Sequence, residues 1–346
     1  MLLLFVACAT TGALRVDPDV TPVLPSPRAD RYTRSPGTPR DPLVAAVSDD
    51  LPWDETLSGV AAATALAELD GDKVDACRLR WMAVQAGYPY PLLGRASASV
   101  PQGEVPETLL AEARKQEGRR VDIGLVRARG RDVDRWVLLV GEHLDARAGG
   151  ELPPIPRDVA LNDEVLLGPG NWVVSDPLGD LRHTDDRFVA DIPGEWMISA
   201  RGPLAPIATF PIYVDELPPE LAPVGCEVGT GDPLTRAFAV VNRVRASYGY
   251  PAVTRDPALD SVARARLRGI VAGEPLADAR AQLRSAGFIG VPVGAAECRG
   301  ATVEACVGSI WWSPEGRGAL VGDMADIGIA VDTAGGDVHM VLLGAG

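Results

Sequence analysis

Ile327-Gly328-Ile329-Ala330-Val331, followed across Gly335-Gly336 by Val338-His339-Met340-Val341-Leu342-Leu343, decides the fold class of this chain. Two apolar, β-prone runs joined by a glycine pair predict a β-hairpin. Upstream, Leu234, Ala237, Phe238, Val241 and Val244 recur at helical spacing, so Leu234–Tyr248 reads as an amphipathic helix. Asp232 or Gly231 can cap it, with Pro233 in the first turn. Asp256-Pro257 repeats that arrangement at the head of a second helix, Pro257–Ala272. Helices and a hairpin within residues 227–346 predict an α+β domain.

Working outward, the proline-rich run Asp215–Pro223 marks a boundary, with a linker at 218–226. Before it, residues 150–217 alternate short apolar stretches with turn signals such as Pro169-Gly170-Asn171 and Ile192-Pro193-Gly194. Strands are expected at Trp172–Val174, Phe188–Ala190, Trp196–Ala200 and Ile207–Val214, the last as an edge. Short strands at this spacing suggest a small β-sandwich, and the block resembles the Ig-like modules of exported bacterial proteins. Residues 53–146 open on an Ala/Leu-rich helix, Thr56–Leu69. A second helix follows at Pro106–Gln116, then strands at Val121–Val126 and Trp136–Val140 joined by the polar link Arg127–Arg135.

The outer two blocks repeat each other. Leu57–Ala61 aligns with Leu259–Ala263, Ala86-Gly87-Tyr88 with Ala286-Gly287-Phe288, Asp122–Val126 with Asp326–Ala330, and Val137–Gly141 with Met340–Gly344. Four ordered matches at nearly constant offset predict a domain duplication, because so long a period does not fit a solenoid.

Composition sets limits. The net charge is −14 and the pI about 4.7, which argues against nucleic-acid partners and against adhesion to anionic lipid by charge alone. No apolar run approaches the roughly 18 residues of a membrane span. Residues 1–8, Met1-Leu2-Leu3-Leu4-Phe5-Val6-Ala7-Cys8, resemble a truncated bacterial lipoprotein signal, with Cys8 the residue to be lipidated. Phe5 stands where leucine is usual and no basic residue precedes the run; a start codon assigned too far downstream would account for that. Residues 9–52, rich in proline, read as an extended spacer.

Four further cysteines, Cys77, Cys226, Cys298 and Cys306, suit two disulfides in an exported chain, and three pairings are open. Cys298–Cys306 is the natural local bridge, leaving Cys77 and Cys226. Neither a CxxC pair nor a Cys/His spacing for zinc is present, so no metal or cofactor is expected.

Residues 227–346 resemble the bacterial CAP (SCP-type) superfamily along their whole length. Val241-Asn242-Arg243-Val244-Arg245 and Gly249-Tyr250-Pro251 look like its opening helix and turn, and Gly294-Ala295-Ala296-Glu297 stands at its Gly-Glu-Asn segment. Trp312-Ser313-Pro314-Glu315-Gly316-Arg317 matches its Ser-Pro-Gly-His-Arg segment. The resemblance implies a C-terminal α-β-α sandwich, often disulfide-bonded, with 53–146 as a degenerate CAP-like copy and a small β-sandwich between. Relatives carry two histidines in a groove. Here those positions fall on Arg266 and Gly316, and only Glu297 remains as an acid. The remnant groove is thus Glu297, Arg266, Gly316 and Arg317. Arginine does not give up its proton near neutral pH, so Arg266 is expected to ion-pair with Glu297. In the first block Thr64 stands at the Arg266 position.

The histidines are His143, His183 and His339, and His339 on the closing hairpin reads as solvent-facing. Ser313 has no base nearby in sequence, Gly225–Gly231 lacks the strand–helix context of a phosphate loop, and Trp311-Trp312 reads as core. The expected function is a noncatalytic, lipid-anchored, extracytoplasmic binding module facing the periplasm or cell surface, with a cell-wall or envelope component as partner. Two alternatives stand beside it: a hydrolase using Glu297, and an envelope spacer.

Overall fold

The structure, a computed structural model, describes residues 31–32, 41–48, 50–117, 119–142, 154–202, 206–217, 224–275, 278–288 and 293–346. Cys8 with the signal-like segment 1–8, most of the spacer, His143 and linker residues 218–223 lie outside them. The chain divides into two compact units, residues 1–74 with 79–157, and residues 75–78 with 158–346.

The first unit runs β1 (Arg31–Tyr32), α1 (Pro42–Ser48), α2 (Glu55–Leu69), α3 (Ala76–Gln85, whose first residues cluster with the second unit), β2 (Leu92–Pro101), α4 (Glu107–Arg114), β3 (Val121–Arg129), β4 (Val133–Glu142) and β5 (Ile155–Pro156). An antiparallel sheet of order β2-β4-β3 forms its centre. Ile123 and Leu125 face one way and pack with Leu109, Leu110 and Trp136 beneath α1 and α4. Gly124, on the other face, meets α2: a Cβ there would fall 2.5 Å from the Leu57 carbonyl carbon. Helix α2 starts where Asp54 accepts a hydrogen bond from Leu57 N at 2.7 Å.

Three expectations are corrected here. Within the stretch read as spacer, Pro42–Ser48 form helix α1, because Pro42 occupies the first turn, where its missing N–H costs nothing, Asp41 caps the helix and Val44 reaches the core. Pro106 is the N-cap of α4, its extended ψ of 93° placing it outside the helix rather than in its first turn. The link between β3 and β4 is shorter than Arg127–Arg135, since Gly130 N already bonds Val133 O at 2.8 Å.

The second unit opens with β6 (Asp158–Val159), β7 (Glu164–Leu166), β8 (Trp172–Ser175), β9 (Leu181–Thr184), β10 (Arg187–Val189), β11 (Gly194–Arg201) and β12 (Pro206–Val214). These form a five-stranded sheet, β6-β12-β11-β8-β9, and a two-stranded one, β10-β7. β12 is not the expected edge: β6 pairs with it in parallel at Tyr213 and Val214, and every residue but Pro206 is buried.

It continues with α5 (Pro233–Ser247), β13 (Thr254–Arg255), α6 (Pro257–Ala272), α7 (Ala279–Ser285), β14 (Val293–Gly300), α8 (Val303–Trp311), α9 (Pro314–Val321), β15 (Asp326–Ala334) and β16 (Asp337–Ala345). The sheet β13-β15-β16-β14 has α6 and α7 on one face, where Leu259, Ala263 and Leu283 pack on Ala330, Val341 and Leu343. Helix α9 lies on the opposite face, where a Cβ at Gly294 would meet Ala319. This is an α-β-α arrangement. Both expected caps form, Asp232 on α5 and Asp256 on α6. Gly335 and Gly336 have φ of +63° and +89°, the two positive values that a two-residue hairpin turn matched to strand twist requires.

The two units share local geometry. Asp256 caps α6 by accepting from Leu259 N at 2.9 Å, and a Cβ at Gly328 would fall 2.2 Å from the Leu259 carbonyl carbon. That repeats Asp54, Leu57 and Gly124. The backbone bonds Asp54 N to Ile123 O and Asp256 N to Ile327 O match as well. One expected alignment changes. Gly124 pairs with Leu139 and Gly328 with Leu343, while Asp122 pairs with Gly141 and Asp326 with Ala345. Val137–Gly141 therefore corresponds to Val341–Ala345, one residue beyond the sequence match; a slip of one residue reverses which face each side chain occupies.

Candidate functional site

Helix α6 carries Arg266 over the sheet face where β14 presents Glu297, and the two form an ion pair through Arg266 Nε and Glu297 Oε1. Arg266 Nη1 also donates to Gln282 Oε1 on α7 at 3.1 Å. This pair forms one wall of an open pocket of about 490 Å³. The start of α7 adds Asp278 and Arg280, and the α8–α9 junction adds Ser309, Ser313, Glu315 and Gly316.

The polar groups at that junction are occupied by local structure. Ser313 caps α9, accepting from Gly316 N at 3.3 Å and donating to Glu315 Oε2 at 3.0 Å. Ser309 Oγ donates to Cys306 O at 2.8 Å. Asp278 caps α7 by accepting from Ala281 N at 2.9 Å. Gly316 supplies no side chain, and there is little room for one: a Cβ would lie 3.0 Å from Ile310 O.

Of the four remnant-groove residues named from sequence, the structure brings Arg266, Glu297 and Gly316 together and turns Arg317 away. Arg317 is 1% exposed, and its Nη1 donates to Glu195 Oε1 on β11 at 2.6 Å. Its guanidinium also lies 5.2 Å from the Tyr248 ring centroid and 5.6 Å from that of Trp311. Tyr248 donates to the same carboxylate, at 3.0 Å to Oε2. Burial, with the negative Glu195 alongside, holds the Tyr248 phenol well above its ordinary value. The same burial lifts the Glu195 carboxyl against the pull of Arg317. Nearby, Tyr250 bonds Pro177 O, and Gly179 and Gly318 approach so closely that a Cβ on Gly318 would meet Gly179 O at 2.8 Å. Residue Arg317 directly follows Gly316 along a helix, so it points to another side. The sequence motif could not show that strand β11 waits there.

Disulfides join Cys298 on β14 to Cys306 on α8 and Cys77 to Cys226, with Cα separations of 5.4 and 5.2 Å. The first lies beside the pocket and fixes α8 against β14. Among the described residues, the cluster whose His, Cys or carboxylate atoms all fall within 4.8 Å of one another is Asp75, Cys77 and Cys226, and its sulfurs are bonded to each other. His183 is exposed on β9, and His339 lies in β16 between Arg299 and Asp332, half-buried rather than fully solvent-facing. Neither lines the pocket. Trp311 is core, and Trp312 packs edge-on against it at 4.5 Å.

Thr64 is fully buried and bonds Val60 O at 2.8 Å. Ser97, whose partner Val137 corresponds to the Val341 opposite Glu297, accepts from Arg135. Glu68 binds both Arg95 and Arg135, whose pKa values burial lowers.

Residues that sequence reading passed over are Asp278, Arg280, Gln282, Ser309 and Arg201. Asp278 before a short helical run is a cap signal that could have placed α7. Nothing local points to Arg201, which reaches Glu315 from β11.

No family model matches the chain, and no curated protein matches it. Solved structures do. The chain is similar to an outer surface protein from Borrelia burgdorferi, at 14% identity and a TM-score of 0.30, over 35% of this chain and 97% of that one. It is similar to a cysteine-rich secretory protein from Staphylococcus aureus at 16% identity and a TM-score of 0.26, over 43% of this chain and 55% of that one. It is also similar to an extracellular protein containing a SCP domain from Bacillus anthracis, at 14% identity and a TM-score of 0.27, over 69% and 92% of the two chains.

Proposed function

We propose that this chain is a noncatalytic, extracytoplasmic binding module that uses the Arg266–Glu297 pocket for recognition. The observation that carries the reading is the ion pair itself. Glu297 is the acid that a hydrolytic mechanism would need, and Arg266 holds it in a charge-assisted bond. A guanidinium cannot take a proton from that carboxylate or from water near neutral pH, so the wall offers no acid–base couple. What remains is an open pocket with polar and charged lining.

In this reading residues 227–346 are a CAP-like domain that has lost its histidines, and residues 53–146 are a degenerate duplicate. The shared Asp–Leu–Gly geometry of α2 on β3 and α6 on β15 supports the duplication. The central block is an Ig-like module. Two disulfides support an oxidising compartment, and lipidation of Cys8 would hold the module at the envelope.

The test is capture of residues 31–346 on purified cell-wall sacculi, with and without chelator, beside Glu297→Gln and Arg266→Ala. Binding that survives chelator and weakens in both variants supports recognition through the pocket. Retention by none of the proteins removes it and leaves the spacer reading; chelator-sensitive retention or hydrolysis of the sacculi favours the enzyme.

A further inference from the structure

The pocket reaches both helical layers of the α-β-α arrangement. Asp278, Ala279 and Arg280 come from α7 on one face of the sheet, and Ile310, Ser313 and Gly316 from the α8–α9 junction on the other. Between them lie Ala295, Ala296 and Glu297 of β14, the last strand in the order β13-β15-β16-β14. A cavity lined from both layers passes around the rim of the sheet, so its floor is the free edge of β14.

The register shows which groups that edge presents. Gly335 and Gly336 form a two-residue turn, so Ala334 and Asp337 are the closing pair that exchanges both backbone hydrogen bonds. Bonding then alternates along β16: odd-numbered residues face β15, and even-numbered ones, Val338 to Gly344, face β14. Their partners on β14 are Gly300, Cys298, Ala296 and Gly294. Ala295 and Glu297 therefore turn their backbone N–H and C=O groups outward at the pocket, and among the described residues no hydrogen bond ends on those groups. Open edges invite strand pairing and are commonly blunted by lysine, proline or a bulge. Gly294-Ala295-Ala296 carries none of these, and β14 pairs with β16 without a register shift. The side chain of Glu297 is held by Arg266. The other charges at the pocket balance as well, Arg280 against Asp278 and Arg201 against Glu315. A wall of zero net charge with free donors and acceptors at strand spacing is complementary to an uncharged peptide backbone.

We infer that the pocket takes an extended, uncharged L-peptide segment of a partner protein, which adds to β14 as a further strand through the backbone groups of Ala295 and Glu297. This rests on the recognition reading above and names the ligand class.

The probe is a pool of short, capped L-peptides built from neutral residues, added to the full chain. Fluorescence polarisation is expected to show binding. Amide hydrogen exchange followed by NMR is expected to show Ala295 and Glu297 becoming protected when the pool is added, with Ala296 protected throughout. A pool methylated at every second amide nitrogen keeps one free edge and is expected to bind; methylation of every amide is expected to abolish binding. Ala295→Pro removes an outward donor while sparing the ladder to β16, and is expected to weaken binding about fivefold, the worth of one hydrogen bond. If that variant melts below wild type, the exchange pattern and the methylated pools decide. Binding without new protection at Ala295 and Glu297, or binding that survives methylation of every amide, overturns the inference. Failure to bind the pool by a chain that sacculi retain overturns it while leaving the recognition reading intact, and failure on both probes overturns both.

Discussion

Arg317 Nη1 sits 2.6 Å from Glu195 Oε1, and both residues are buried, at 1% and 3% exposure. One belongs to helix α9 beside the pocket and the other to strand β11 of the five-stranded sheet, so the pair locks these two parts of the second unit together. Removing one partner strands the other charge away from water, which costs about 3–5 kcal/mol. Urea unfolding of Arg317→Met and of Glu195→Met is expected to show that loss. The double Met variant is expected to recover most of it, since a packed apolar pair leaves no orphan charge.

The two helix–strand contacts at Gly124 and Gly328 leave no space for a methyl group, with virtual Cβ distances of 2.5 and 2.2 Å to backbone carbonyl carbons. Gly124→Ala and Gly328→Ala are each expected to destabilise by about 1–3 kcal/mol. Gly225→Ala, whose nearest neighbour would lie at 3.5 Å, serves as the control in the same thermal melts and is expected to be near neutral.

The disulfides differ in the loop they close, with separations of 149 residues for Cys77–Cys226 and 8 for Cys298–Cys306. By chain entropy the first stabilises by about 5 kcal/mol and the second by about 2.5 kcal/mol. Paired Cys→Ala variants, compared by chemical denaturation under oxidising conditions, are expected to follow that order.

Tyr88 and Tyr248 are both held well above the ordinary phenol value by burial, with Asp122 and Glu195 respectively adding to the shift. The folded state keeps protons that the unfolded chain releases near pH 10. Their contribution to stability is therefore complete below about pH 10 and falls as the pH rises above it. Ultraviolet titration of tyrosinate is expected to show these two phenols ionising only with unfolding, not in an earlier reversible phase.

How much of this is legible in sequence depends on the range of the interaction. Asp232-Pro233 and Asp256-Pro257 announce α5 and α6 because capping is settled within four residues, and Gly335-Gly336 announces its turn for the same reason. The Arg266–Glu297 pair is expected only from the resemblance to CAP domains, with no local signal across the intervening residues. The expected repeat pairs Val137–Gly141 one residue earlier than the strand registers of the two sheets do, because apolar runs look alike under a shift while the pleat assigns opposite faces. Arg317 illustrates the other limit. A motif names neighbours along the chain, whereas Glu195 lies 122 residues away and fixes which way the side chain turns. Arg201 on Glu315 is of the same kind.

The central claim, recognition without catalysis through the Arg266–Glu297 pocket, is tested most directly by retention of residues 31–346 on purified sacculi in the presence of excess chelator. The account predicts undiminished wild-type retention, weakened by Glu297→Gln and by Arg266→Ala, with no soluble sugar or peptide released. Retention abolished by chelator, or release of soluble fragments that Glu297→Gln prevents, would contradict it.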